Sequence, residues 1–562
     1  MSWLKARLGR RGPSQDPDPA LAATRPPDVG PDQARERIEL LLGRGASVEA
    51  RAVAEEAADR YPEHAEINAL CGSACLAAGD AESALDHVYL ALHHDPGNER
   101  AFQARIAALE QLGRHGEIPA ACEEFLKARP GHADALHRLA RAAHAARDYG
   151  RAAEMLAQVV EQEPRNGEAL NNLGLLLARE FAEFERGEAL LRRALEVAPE
   201  SGDARANLAW VCCERGAYEE GFRLFDEQVA RAPDDHELRL MRAVARLKRG
   251  DFAAGWDEYE ARFASPLATR RPYGFPPWDG RPRQEGALLV YGEQGLGDQI
   301  MFASCLPELQ ARVPDCIVEC NPRLGRLFER SFPWARVVMA AQDDPAPAWL
   351  AERGSAHAGI GAQVPIGSLP RWFRRSAADF PRHSGFLRAD PARVQAWHTR
   401  LAACGAGPRI GVSWRGGTAT SRRGLRSLEL AQLAPVLAGV PATWVSLQYT
   451  DCRAEIAAVA QRHGVTLHHW QEAIDDYDET AALVAALDAV VTVCTALVHL
   501  SGALGQRTLV MVPYAAEWRY GAAGEAMPWY PSVRLLRQRA PGGWADLLER
   551  VKDELLAPAR AV

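Results

Sequence analysis

The sequence predicts an α-helical solenoid followed by an α/β region of two Rossmann-like halves, and three observations predict it. Prolines recur at Pro62, Pro96, Pro130, Pro164, Pro199 and Pro233, with spacings of 34, 34, 34, 35 and 34 residues. After residue 286 this helix-only pattern gives way to short apolar runs alternating with amphipathic segments, as in a parallel sheet with crossover helices. Two of those runs, 287–290 and 409–414, open directly into glycine turns, so the alternation occurs twice.

At 562 residues the chain is too long for a single core. A net charge of −8 argues against a general binder of nucleic acid or anionic membrane. The eleven cysteines form no CxxC pair and read as reduced thiols. The basic start, MSWLKARLGRR, lacks an apolar signal core, and no later run is long enough to span a bilayer. A cytoplasmic protein is expected. Cys71 and Cys75 lie four apart on a helix, and without a second pair nearby they read as small core residues, so no metal site is expected. Residues 1–32 carry six prolines from Pro13 to Pro31 and read as a flexible leader.

Residues 33–264 form the repeat array. Breakers fall midway between the prolines at Gly45, Gly79, Gly113, Asp148, Gly216 and Gly250. Small residues recur where two helices must approach, as at Gly72 with Ala84 and Ala91, or Gly174 with Gly187 and Ala194. The pattern resembles the tetratricopeptide repeat, TPR, a helix-turn-helix unit of 34 residues. That resemblance implies a right-handed superhelix whose groove holds a peptide or protein surface. Asn172 and Asn207 share the sixth position of their repeats, where their amides would meet a bound peptide backbone or remain surface polar groups. Trp256, Tyr259 and Phe263 follow helical spacing and predict a cap that closes the array against the next domain. Residues 265–285, with Pro266, Pro272, Pro276, Pro277 and Trp278, read as a docked strap.

The first α/β half spans 286–395, with strands expected at 287–290, 315–320, 336–340 and 356–360. The second spans 396–562, with strands at 409–414, 442–447, 488–493 and 508–512. Strand ends of open parallel sheets point into a crevice, and three clusters follow such ends. The first is Glu293, Gln294, Gly295, Gly297 and Asp298, where the aspartate serves as general base or as a helix cap. Trp414, Arg415, Gly416 and Gly417, with Arg422, Arg423 and Arg426, form the second, suited to a diphosphate or standing as a solvated basic loop. Gln448 and Tyr449 follow the next strand within reach of a nucleoside. In the third, Thr495 and Ala496 open a helix whose N–H groups would face a phosphate, with His499 one turn on as a ligand contact or a satisfied core residue. Glu517, Trp518 and Arg519 lie on a loop aimed at the same cleft.

No HExxH, P-loop lysine or GxSxG motif is present, and GEQGLG lacks dinucleotide spacing. Proteases, NTPases, α/β-hydrolases and dehydrogenases therefore lack support. The segments GLGDQIMFASCLPEL and VCTALVHLSGALG resemble the signature turns of bacterial heptosyltransferase-like glycosyltransferases of GT-B fold, over roughly residues 286–556. Repeats ahead of such a unit are also similar in layout to O-GlcNAc transferase. The resemblance implies that Asp298 is the base and that the segment from Arg422 to Arg426 binds donor phosphate. The family's Asp-Thr-Gly-x-x-His falls on Cys494, Thr495, Ala496 and His499, with Cys494 replacing the acid and Ala496 the glycine.

The implied reaction is inverting transfer of a sugar from a nucleotide-diphosphate donor to a hydroxyl acceptor. No metal or cofactor is required, the repeats recruit a protein, and a C-terminal helix at 542–556 crosses back to brace the first half. One alternative is a scaffold that has lost catalysis and only binds nucleotide or protein, which Cys494 favours. Another is a small-glycan transferase whose repeats assemble a complex.

Overall fold

The computed structural model describes residues 30–264, 271, 273–283, 285–341, 344, 347, 349, 359–417 and 422–557. Most of the leader, Pro266, Pro272 and Ala356 lie outside them. The chain divides into two compact units at Ala169 and Leu170.

The first unit consists of helical hairpins, from Pro31–Gly43 to Tyr149–Gln162. Sequence punctuation explains their ends. Gly45, Gly79 and Gly113 take left-handed φ of 72°, 83° and 69° after alternate helices, which glycine allows without strain. Where that phase lacks a glycine, Arg147 takes φ 63° instead. Asp80, Asn98 and Asp148 then cap the next helix by accepting a backbone N–H.

The second unit begins with helices of the same kind, through Gly202–Glu214 and His236–Arg249 to Phe252–Tyr259. Gly174 and Gly187 touch backbone to backbone: a Cβ on either would stand 2.9 or 2.7 Å from the other's carbonyl oxygen. Trp256 is 1% exposed and meets Phe302, Trp518 and Trp529 edge to face, so the expected aromatic cap is in place. Tyr259 is buried beside it, and Phe263 lies half-buried under the Arg262 guanidinium. The described residues 273–283 of the strap also dock. The Trp278 amide donates to the Gln363 carbonyl at 2.8 Å, and its ring packs on Trp372 and Phe373.

Among the described residues, ten parallel strands follow in two sheets. The first sheet has order β3-β2-β1-β4, from β1 (Ala287–Tyr291), β2 (Cys316–Cys320), β3 (Arg336–Met339) and β4 (Ile360–Pro365). The second has order β10-β9-β8-β5-β6-β7, from β5 (Arg409–Ser413), β6 (Thr443–Ser446), β7 (Leu467–His469), β8 (Ala489–Val493), β9 (Thr508–Val512) and β10 (Val533–Arg537). β4 lies later than expected, and β7 and β10 were not expected at all. β7 has three residues and one buried side chain, too little for an alternation to register.

Strand order reverses between β1 and β4, and between β5 and β8. The turns that carry the three expected clusters follow β1, β5 and β8, the strands at these switch points. The C-terminal helix Trp544–Leu556 differs from expectation. Its buried residues Trp544, Leu547, Leu548 and Val551 belong to the core of the second sheet, so it does not cross back to the first half. No described helix is long and apolar enough to cross a membrane.

Candidate functional site

A cavity of about 740 Å³ lies where the two sheets and the last repeat helices meet. That volume suits a cofactor-sized or nucleotide-sized ligand. Gly297 and Asp298 line it from the turn after β1, Arg422 and Arg426 from the loop after β5, and Thr495, Ala496 and His499 from the turn after β8. All three expected clusters therefore reach one crevice.

Asp298 occupies the first turn of the helix Leu296–Ala303, which Gly295 precedes as cap residue. Arg519 donates to its carboxylate, Nε at 2.6 Å and Nη2 at 2.5 Å. Burial works against the Arg519 charge, but Asp298 and Glu517 outweigh it and raise its pKa above the ordinary value. The same guanidinium lies 4.6 Å over the Trp518 ring. Gly297 is the close-approach residue: a Cβ there would stand 3.0 Å from His499 Cδ2 and 3.1 Å from Ala496 Cα.

The loop cations differ in role. Arg426 is buried, donating to Glu517 at 2.7 Å and to the Cys494 carbonyl at 3.5 Å. Arg422 has φ 50°, and its guanidinium lies 5.2 Å over Trp210, where burial pushes its pKa down. Glu214 and Glu517 offset part of that cost. Thr495 caps the helix Ala496–Ala503, its Oγ1 accepting from the Leu497 N–H at 3.1 Å. His499 is 4% exposed and bonded to the Tyr530 hydroxyl at 3.1 Å. Burial, with Arg519 nearby, depresses it to about 3, so it is a neutral wall residue. The Cys494 thiol, pushed up to about 12 by burial, is neutral as well.

Several expected contacts fall elsewhere. Arg415 turns away to pair with Glu455 and donate to the Asp451 carbonyl. Gly416 packs beneath Thr495, where a Cβ would lie 2.4 Å from Thr495 Cγ2. Arg423 is exposed and does not line the cavity. Gln448 is fully buried and spends its amide on the turn itself: Oε1 accepts from the Trp414 and Arg415 N–H groups at 3.2 and 3.0 Å, and Nε2 donates to the Arg415 carbonyl at 3.2 Å. It shapes the loop and offers nothing to a nucleoside, whereas its half-exposed neighbour Tyr449 does line the cavity. Asn172 and Asn207 are joined through Asn171: Asn207 Nδ2 donates to Asn171 Oδ1 at 2.9 Å, and Asn171 Nδ2 to Asn172 Oδ1 at 3.1 Å. These amides form a side-chain ladder along the repeat helices.

Sequence reasoning missed the repeat contribution. Arg179, Trp210, Glu214 and Lys248 form one wall, with Lys248 Nζ held 2.9 Å from both Glu214 oxygens. The one available signal was the run of cations and an aromatic ring on successive first helices of repeats, which only matters once those helices are known to face the sheets.

Fold and site together define a TPR chain joined to two parallel α/β sheets. Residues 36–99, 137–180 and 178–247 match the tetratricopeptide repeat family. Among solved structures, a tetratricopeptide repeat protein from Parabacteroides merdae is 22% identical, with TM-score 0.31, covering 36% of this chain and 79% of that one. Pseudomonas aeruginosa pilF is 16% identical, with TM-score 0.33, covering 38% and 99%. Protein FlbA of Caulobacter vibrioides is 31% identical over 506 residues, which cover 81% of this chain and 84% of that protein. The chain belongs to the same family as Protein FlbA.

Proposed function

We propose that the protein is an inverting glycosyltransferase of GT-B type that moves a sugar from a nucleotide-diphosphate donor to a hydroxyl, with its repeats recruiting a protein acceptor or partner. The observation that carries this reading is the shared cavity, which gathers an acid, cations and a helix start onto one ligand-sized space. In this mechanism Asp298 accepts the proton of the acceptor hydroxyl, and Arg519 orients its carboxylate. The acceptor oxygen attacks the anomeric carbon as the bond to the diphosphate breaks. The departing negative charge is taken up by Arg422, Arg426 and the N–H groups at Thr495 and Ala496. Those N–H groups need no particular side chain, so the replacement of the resembled family's acid by Cys494 leaves this part intact. The TPR match supports a protein partner, and free thiols at all eleven cysteines suit a reducing compartment such as the cytoplasm.

A second reading rests on Cys494. A buried neutral thiol in place of the acid favours a scaffold that holds a nucleotide without turning it over. A thermal-shift screen against nucleoside diphosphates and nucleotide sugars, followed by Asp298→Asn, separates the two. A transferase shifts with one nucleotide class, and D298N keeps that shift while losing transfer. Binding without wild-type transfer to any hydroxyl acceptor supports the scaffold, and silence across the panel refutes both.

A further inference from the structure

A buried cluster of soft ligands lies in the first unit, among residues to which no role is given above. Cys71 and Cys75 are one turn apart on the helix Ala65–Ala77, so both Sγ atoms leave the same face. His87 lies on the helix Ala81–His94, which comes so close that a Cβ on Gly72 would stand 2.6 Å from Val88 Cγ2. That approach brings one ligand atom of each of the three residues within 4.8 Å of the others. Both cysteines are fully buried and His87 is 8% exposed.

The repeat fold does not demand these residues. One repeat later the same positions hold Arg105, Leu109 and Ala121, and two repeats later Leu139, Ala143 and Met155. Two sulfurs and an imidazole thus converge at this hairpin, where the next two repeats hold neither cysteine nor histidine at the same positions.

We propose that Cys71, Cys75 and His87 form a binding site for a closed-shell soft cation of the Zn²⁺ class, with water or a nearby carboxylate in the fourth position. Thiolate and imidazole donors select such ions over Mg²⁺ or Ca²⁺. Tetrahedral Zn²⁺ needs ligand atoms about 3.5 to 3.8 Å apart, a small contraction of the observed cluster. The Cys71 thiol faces Cys75 across one helical turn, and Arg51 lies nearby. Glu55 and Asp80 also face Cys75, and each is paired with Arg51, at 2.8 and 2.9 Å. On binding, the two thiol protons pass to solvent and His87 coordinates as neutral imidazole. The ion would clasp the two helices of this hairpin.

The test uses the reduced, metal-free full chain, titrated with Zn²⁺ against a chromophoric chelator and, separately, with Co²⁺. The expected result is one ion per chain, a thiolate-to-cobalt charge-transfer band in the near ultraviolet, and a loss of affinity of at least 100-fold in Cys71→Ser and His87→Ala. Cys122→Ser, a buried thiol elsewhere in the same unit, leaves affinity unchanged. Wild-type protein that gives no charge-transfer band overturns the proposal whatever the variants do. So does Zn²⁺ affinity that survives C71S, or a quantitative Cys71–Cys75 disulfide in protein isolated without reductant.

Discussion

Trp256 couples the last repeat helix to the α/β core, and its replacement has a calculable cost. The ring is 1% exposed and makes edge-to-face contacts with Tyr259, Phe302, Trp518 and Trp529 at 5.5 to 6.2 Å. Burying about 250 Å² at about 25 cal/mol/Å² is worth about 6 kcal/mol. Its indole N–H is buried without a hydrogen-bond partner among the described residues, which returns about 1 to 3 kcal/mol. Trp256→Ala is therefore expected to cost about 3 to 5 kcal/mol, whereas Trp256→Phe removes the orphan donor, keeps a ring, and stays within about 1 kcal/mol of wild type. Urea titration followed by circular dichroism gives the totals. Hydrogen exchange on peptides 236–263 and 296–306 locates the effect, since Trp518 also carries the Arg519 guanidinium. Equal losses in the two variants, or a change in exchange elsewhere and none in these peptides, would refute the coupling.

Three other perturbations test the site and its supports. His499 is depressed to about 3 in the folded chain against about 6.5 unfolded, so the unfolded state binds the extra proton between those values. Stability is then full above pH 6.5 and falls by up to about 1.4 kcal/mol per unit on acidification; His499→Gln should flatten the slope between pH 6.5 and 5, and parallel slopes would count against burial as the cause. Gly416→Ala forces a methyl onto Thr495 Cγ2 and the Cys494 carbonyl, so it should cost about 1 to 3 kcal/mol and weaken nucleotide binding together, an expectation that unchanged melting would end. Lys248→Met strands Glu214 beside a largely buried site and should cost about 3 to 5 kcal/mol, most of it recovered in the Lys248→Met, Glu214→Leu double variant; additive losses in the double-mutant cycle would contradict the pairing.

The repeat array is legible because its determinants are local. A proline between hairpins, a left-handed residue, mostly glycine, at the turn within them and a pair of small residues at their contact all recur within about 34 positions. Strand-to-turn junctions after β1, β5 and β8 are legible for the same reason, since a buried apolar run ending in glycine or threonine carries its own signal. What stayed hidden depends on partners far along the chain. Asp298 meets Arg519 across 221 residues, and Lys248 and Trp210 reach the cavity from helices whose facing no local pattern states. Gln448 looked like a ligand contact because its position after β6 is right, but three backbone groups of the β5 turn claim its amide first. His87 joins Cys71 and Cys75 only because Gly72 lets two helices close up, a consequence of packing that spacing does not contain.

The Asp298–Arg519 pair links chemistry to architecture. Asp298 belongs to the helix after β1, while Arg519 stands on the loop after β9, with its ring partner Trp518 packed against Trp256 of the repeats. One ion pair therefore registers the first sheet, the second sheet and the last repeat helix at the cavity wall. The Arg519 Nε and Nη2 groups both address Oδ1, so in the proposed transfer Oδ2 would be the oxygen that meets the incoming hydroxyl. Arg519→Lys keeps the charge but loses the fork, so for a transferase it should lower kcat by at least tenfold with little change in KM for the nucleotide sugar. A rise in KM alone would instead make Arg519 a donor contact and remove the argument that it aims the base.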